Sequence, residues 1–87
     1  MKYKIKLSRT AEKDLEKLPQ NILKQIDKAL IKLSSNPRPQ NAKKLKGLDN
    51  LYRLRVGDYR IVYIVEDNIL IVLLVRVLHR NEVYKKG

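Results

Sequence analysis

The chain has 87 residues, 44% of them hydrophobic, and sets 20 lysines and arginines against 9 acidic residues, for a formal net charge of +11. That length suits one domain, residues 1–87, with a thin core. The lack of cysteine excludes a disulfide framework or a thiolate metal site, and a single histidine leaves too few ligands for a His-based centre. The excess of positive charge points instead to a polyanionic partner: nucleic acid, the ribosome, an acidic membrane or an acidic protein. The longest apolar run, Ile69 to Val75, falls far short of the roughly 20 residues of a membrane helix. No charged start followed by an apolar run marks a signal peptide, so a cytoplasmic protein without membrane association is expected.

Residues 2 to 7 alternate strictly, Tyr3, Ile5 and Leu7 against lysines, which predicts a half-buried strand with a solvated outer face. Ser8 is placed to cap a helix in which Ala11, Leu15 and Leu18 form one apolar stripe, and Pro19 ends it. A second helix opens at Pro19 to Asn21, with the stripe Ile22, Ile26, Ala29, Leu30 and Leu33. Pro37 and Pro39 stop it, and so short a turn between the two predicts an antiparallel helical hairpin.

Residues 36 to 50 read as a loop with Gly47 as its turn point. Tyr52, Leu54 and Val56 then alternate with Leu51, Arg53 and Arg55, giving a strand with one apolar and one cationic face. Gly57-Asp58 is a tight-turn dipeptide leading into Tyr59 to Val65, apolar on both faces except for Arg60 and therefore expected to be central. Glu66-Asp67-Asn68 turns the chain into a last apolar strand, Ile69 to Leu78, followed by a short basic tail from His79. The expected fold is α+β: an N-terminal strand, a helical hairpin, then a three-strand antiparallel meander.

Helices can cover only one face of so small a sheet. Burying Arg53 and Arg55 beneath them would cost roughly several kcal/mol each, so their side should be the open one. The stretch Lys43 to Arg60 holds six cationic side chains in 18 positions. On the open face this topology would gather Lys43, Lys44 and Lys46 from the loop, Arg53, Arg55 and Arg60 from the strands, and His79, Arg80 and Tyr84 from the tail. The sequence has no P-loop or Gly-rich dinucleotide turn and no Ser/His/Asp pattern. Arginine forks match phosphate oxygens bidentately, and tyrosine can stack on a base or move a proton. Such a set could cleave RNA without a metal or other cofactor, because the ribose 2′-OH is a nucleophile the substrate itself supplies. On the chemistry alone, holding backbone phosphates without cutting them is the simpler reading.

Lys44-Leu45-Lys46-Gly47, then Leu51 to Arg55, then Gly57-Asp58-Tyr59-Arg60-Ile61-Val62-Tyr63, then His79-Arg80 with Glu82-Val83-Tyr84, together resemble the RelE/ParE toxin superfamily. The order of elements does so too, over essentially the whole chain. The resemblance implies a microbial-ribonuclease-type fold and a type II toxin neutralised by a cognate antitoxin. An acidic antitoxin with an amphipathic helix would complement the +11 charge. In the RelE branch it implies an endoribonuclease that enters the ribosomal A site and cuts mRNA, inhibiting translation. Position by position, Arg53 and Arg55 fall where RelE-type toxins carry a basic strand pair, often lysines, and Arg60 falls on the phosphate-binding arginine. Arg80 matches the basic residue after the last strand, Tyr84 the C-terminal tyrosine, and Lys46 a basic loop residue that contacts RNA.

One departure changes the chemistry. A lysine at position 53 or 55 could act as a general base, whereas arginine cannot give up its proton at a useful pH. Arg53 and Arg55 are therefore expected to position the substrate and stabilise charge, leaving proton transfer to Tyr84 and to His79, a residue type suited to it near neutrality. Two other readings stay open: a ParE-like inhibitor of DNA gyrase, and a non-catalytic RNA- or ribosome-binding module.

Overall fold

Two helices, α1 (Arg9–Glu16) and α2 (Gln20–Ser35), cover one face of a five-stranded sheet. The strands are β1 (Lys4–Leu7), β2 (Ala42–Lys44), β3 (Leu51–Val56), β4 (Tyr59–Glu66) and β5 (Ile71–His79), in the spatial order β1-β5-β4-β3-β2. This computed structural model describes residues 2–45, 47 and 50–81. Among them no helix is long and apolar enough to cross a membrane, and no three His, Asp or Glu side chains gather as a metal site. The α+β class and the β3–β4–β5 meander agree with the sequence reading. Ser8 caps α1 as expected, its Oγ accepting from Ala11 N at 3.0 Å.

The sheet differs from expectation in one respect and adds a pairing that the sequence left open. Ala42–Lys44, read as loop, forms the edge strand β2, antiparallel to β3. Three residues with no apolar alternation leave no period to detect. The first strand runs parallel to β5 at the other edge, pairing Lys4 with Ile71 through Leu7 with Leu74.

Directly opposed residues of antiparallel strands share a face, so the ladder sorts the side chains. Leu54, Ile61 and Val77 stand in one row and Tyr52, Tyr63 and Leu74 in the next. All but Tyr52 are buried, against Ala11, Ile26 and Leu33 of the helices. Val77 and Leu74 are three residues apart and would alternate out of phase; the register shift beside Val62/Tyr63 lets both face the helices. The other face carries Arg53 opposite Lys43 and Val62, and Arg55 opposite Arg60, which in turn opposes Leu78.

Where β1 ends, α1 takes over the exposed edge of β5. Ser8 N donates to Leu74 O and Ser8 Oγ to Val75 O, both at 2.9 Å. Asp14 Oδ2 accepts from Val77 N at 2.9 Å and pairs with Arg76 Nε at 2.8 Å. Burial pushes the Asp14 carboxyl up, but the Arg76 hydrogen bond and the Val77 amide outweigh it and hold the group below its ordinary value.

A second cluster ties β1, the α2–β2 loop and the β4–β5 turn together. Arg38 forks onto Asp67 at 2.6 and 3.2 Å and donates from Nε to Tyr52 Oη at 2.9 Å, while Tyr3 Oη donates to Asp67 at 2.6 Å. Hydrogen bonds from Arg38 and Tyr3 keep the Asp67 carboxyl low. Beneath it Tyr63 stacks on Tyr52 with centroids 5.8 Å apart and donates to Pro37 O at 2.8 Å. Burial pushes the Tyr63 phenol up to about 12.

Tyr63→Phe should leave the Pro37 carbonyl without this donor and cost about 1–2 kcal/mol in chemical denaturation at neutral pH. Asp14→Ala removes a partly exposed ion pair and the acceptor for Val77 N, for about 1–2 kcal/mol. Because the native pKa of Asp14 is depressed, its contribution is complete above the unfolded carboxylate value of about 3.9 and is lost as pH falls through the native one. The stability gap between Asp14→Ala and the parent chain should therefore close at acid pH.

Candidate functional site

The helix-free face of the β3–β4 hairpin bears a cleft of about 730 Å³ lined by Asn41, Lys43, Arg53, Arg55, Gly57, Asp58 and Arg60. Strand period places Arg53 and Arg55 together, the β2 pairing sets Lys43 beside Arg53, and the hairpin register brings Arg60 opposite Arg55. The hairpin closes in two residues. Gly57, the first, has φ +59, and Asp58 does not share the positive φ, which fits a type II′ turn and explains why glycine comes first. Arg55 Nε donates to Gly57 O at 3.1 Å, which holds that exposed guanidinium at the turn. Arg60 is 7% exposed and lies deepest of the cations in the cleft.

Four cationic side chains and one carboxylate thus share the cleft among the described residues. Like charges directly opposed across strands repel, and an anion between them relieves that repulsion. Arginine forks can offer planar, bidentate donors to the oxygens of such an anion.

The remaining sequence candidates are placed differently. Lys44 pairs with Tyr52 and so shares the parity of the helix-side row, away from Lys43. His79 is the last residue of β5 rather than the start of the tail, and it opposes Tyr59 on the helix-side parity. Its ring meets Tyr59 edge-on at 5.2 Å, in a separate pocket of about 300 Å³ that also includes Asp14, Lys17 and Arg76. The expectation that His79 joins the arginines on the open face is therefore corrected: one step along a strand reverses the face. Arg80 is exposed and does not line the cleft, but its backbone N–H donates to Asp58 O at 2.8 Å and docks it against the cleft's rim. Lys46 and Tyr84 lie outside the described residues. Asn41 and Asp58 line the cleft without having been singled out. Asp58 was legible in principle, since a two-residue turn must set it beside the Arg55–Arg60 pair.

A family model described as the ParE toxin of type II toxin–antitoxin systems matches residues 5–84. Toxin RelE3 of Methanocaldococcus jannaschii is 40% identical over 86 residues, covering 93% of this chain and 94% of that protein. The mRNA interferase toxin RelE of Escherichia coli is 33% identical over 91 residues, covering 100% and 95%. The crystal structure of the archaeal RelE–RelB complex from Pyrococcus horikoshii superposes with a TM-score of 0.82 at 28% identity, covering 92% of this chain and 97% of that one. The chain belongs to the RelE/ParE family of toxins from type II toxin–antitoxin systems.

Proposed function

We propose that the chain is the toxin of such a pair, acting as a ribosome-dependent endoribonuclease that cuts mRNA in the A site and is neutralised by a cognate antitoxin. The observation that carries the reading is the cleft of Lys43, Arg53, Arg55 and Arg60 on the face the helices leave open. Support comes also from a full-length relative named as an mRNA interferase and from a relative crystallised with RelB. In the reaction the ribose 2′-oxygen attacks the adjacent phosphorus and the P–O5′ bond breaks, leaving a 2′,3′-cyclic phosphate and a 5′-hydroxyl. Arg53, Arg55 and Arg60 hold the phosphate and take up the charge that grows on its oxygens. Lys43 engages a neighbouring phosphate, Lys46 contacts the RNA as the family resemblance implies, and Arg80 and Tyr84 join the site at the positions where they match the family. An antitoxin that supplies carboxylates to the same cations would close the cleft by charge complementarity.

The ParE description of the family model favours one second reading, inhibition of DNA gyrase. Purified protein added to translating ribosomes separates the two. The nuclease reading expects discrete mRNA cuts with cyclic-phosphate ends; intact mRNA together with stalled gyrase supercoiling would replace it. Arg60→Ala should lower the cleavage rate about 10²–10³-fold, as removal of one transition-state donor does elsewhere. Arg55→Ala removes an exposed phosphate contact. Plotted as log affinity against log salt, single-stranded RNA binding should lose about 0.7 in slope magnitude.

A further inference from the structure

The cations of the cleft account for gripping the phosphate and for stabilising its charge, but not for taking the proton from the 2′-OH. Arginine has only donors, and a lysine ammonium likewise has no lone pair to offer. A tyrosine phenol, un-ionised near neutrality, must shed its own proton before it can accept one. His79, the chain's one histidine, stands on the other parity of β5, beside Tyr59. Among the described residues lining the cleft, the amide oxygen of Asn41 accepts hydrogen bonds but is no base, and one side chain is built to take up a proton: the carboxyl of Asp58.

The placement of Asp58 follows from the turn rather than from chance exposure. With Gly57 taking the positive φ of the II′ turn, Asp58 follows it directly and precedes Tyr59, the residue paired with Val56 at the hairpin's end. Its backbone carbonyl is held by Arg80 N at 2.8 Å, and Gly57 O beside it is held by Arg55 Nε at 3.1 Å. The carboxylate therefore springs from a backbone fixed on both sides, at the rim of a cleft whose walls bind phosphate on the nuclease reading.

We propose that Asp58 is the general base of the cleavage reaction, an inference that rests on that nuclease reading. The 2′-OH gives its proton to the Asp58 carboxylate as the 2′-oxygen bonds to phosphorus. The P–O5′ bond breaks, and the departing 5′-oxygen takes a proton from solvent, to which Asp58 later returns the one it gained. A carboxylate also fits a cleft in which arginines stand at positions 53 and 55. With no lysine there to act as base, the role passes to the neighbouring turn.

The test is single-turnover cleavage of mRNA on programmed ribosomes by the full chain and by Asp58→Asn, which keeps the size of the side chain and loses its ability to take a proton. The expected result is a rate about 10²–10⁴-fold lower at saturating ribosome concentration. Ribosome affinity should stay within about threefold, and the acid-side rise of log rate with pH should disappear. A variant that cleaves within about threefold of the parent with the same pH profile, or whose defect is confined to affinity, overturns the assignment. Thermal melting checks that the variant is folded. If it melts early, Asp58→Ser replaces it: restoration of its rate by added formate supports the carboxylate as base, and no restoration counts against it. A parent chain that leaves mRNA intact would overturn the nuclease reading itself, a different outcome from either of these.

Discussion

Arg55 stands directly opposite Arg60 across the β3–β4 hairpin, with Arg53 and Lys43 one pair away on the same face. The rest of the site depends on that register. Opposed like charges cost a sheet stability, on the order of tenths of a kcal/mol to 1 kcal/mol per pair. A slip of one residue would be far more costly, since it would turn Leu54 outward and drive Arg53 and Arg55 under the helices. The apolar row of Leu54, Ile61 and Val77 and the II′ turn at Gly57-Asp58 therefore hold a cationic arrangement that would not persist by itself. Packing on one face keeps the charge in place on the other.

The arginines divide by role. Arg38 is committed to Asp67, Tyr52 and the β4–β5 turn, and Arg76 to Asp14 at the edge of β5. Each fastens peripheral chain to the sheet. Arg38 and the cleft sit toward opposite ends of β4, a strand of eight residues and so about 25 Å long. The clasp fixes one end of the sheet while the β3–β4 turn end stays open to a ligand. Charge alone would not have told these arginines from those that line the cleft; their places in the fold do.

Much of this was legible in the sequence where a period or a cap states it. Ser8, the two helix stripes and the alternation of Leu51 to Val56 each specify a local structure with a direct physical cause, and each is found as read. The parts that were not legible had no such signal. Ala42–Lys44 becomes a strand only because β3 offers it an edge, and the parallel partner of β1 lies 67 residues downstream at the pair Lys4 and Ile71. Lys44 and His79 were grouped with the open face by nearness in sequence, but strand parity sets them on the other side. Asp58 was read as a turn former, which it is, and its place in the cleft emerges only once Arg55 and Arg60 are known to face each other across that turn.

On the nuclease reading, RNA phosphates seat between β2, β3 and the β3–β4 turn. Chemical-shift mapping tests it most directly, with isotope-labelled protein titrated with a short single-stranded RNA whose 2′-positions are deoxy so that it cannot be cut. Shifts should concentrate at Lys43, Arg53, Arg55, Gly57 and Arg60, with the arginine Nε–H signals among the largest. Shifts centred on Lys17, Tyr59 and His79, with the hairpin cleft unchanged, would contradict it.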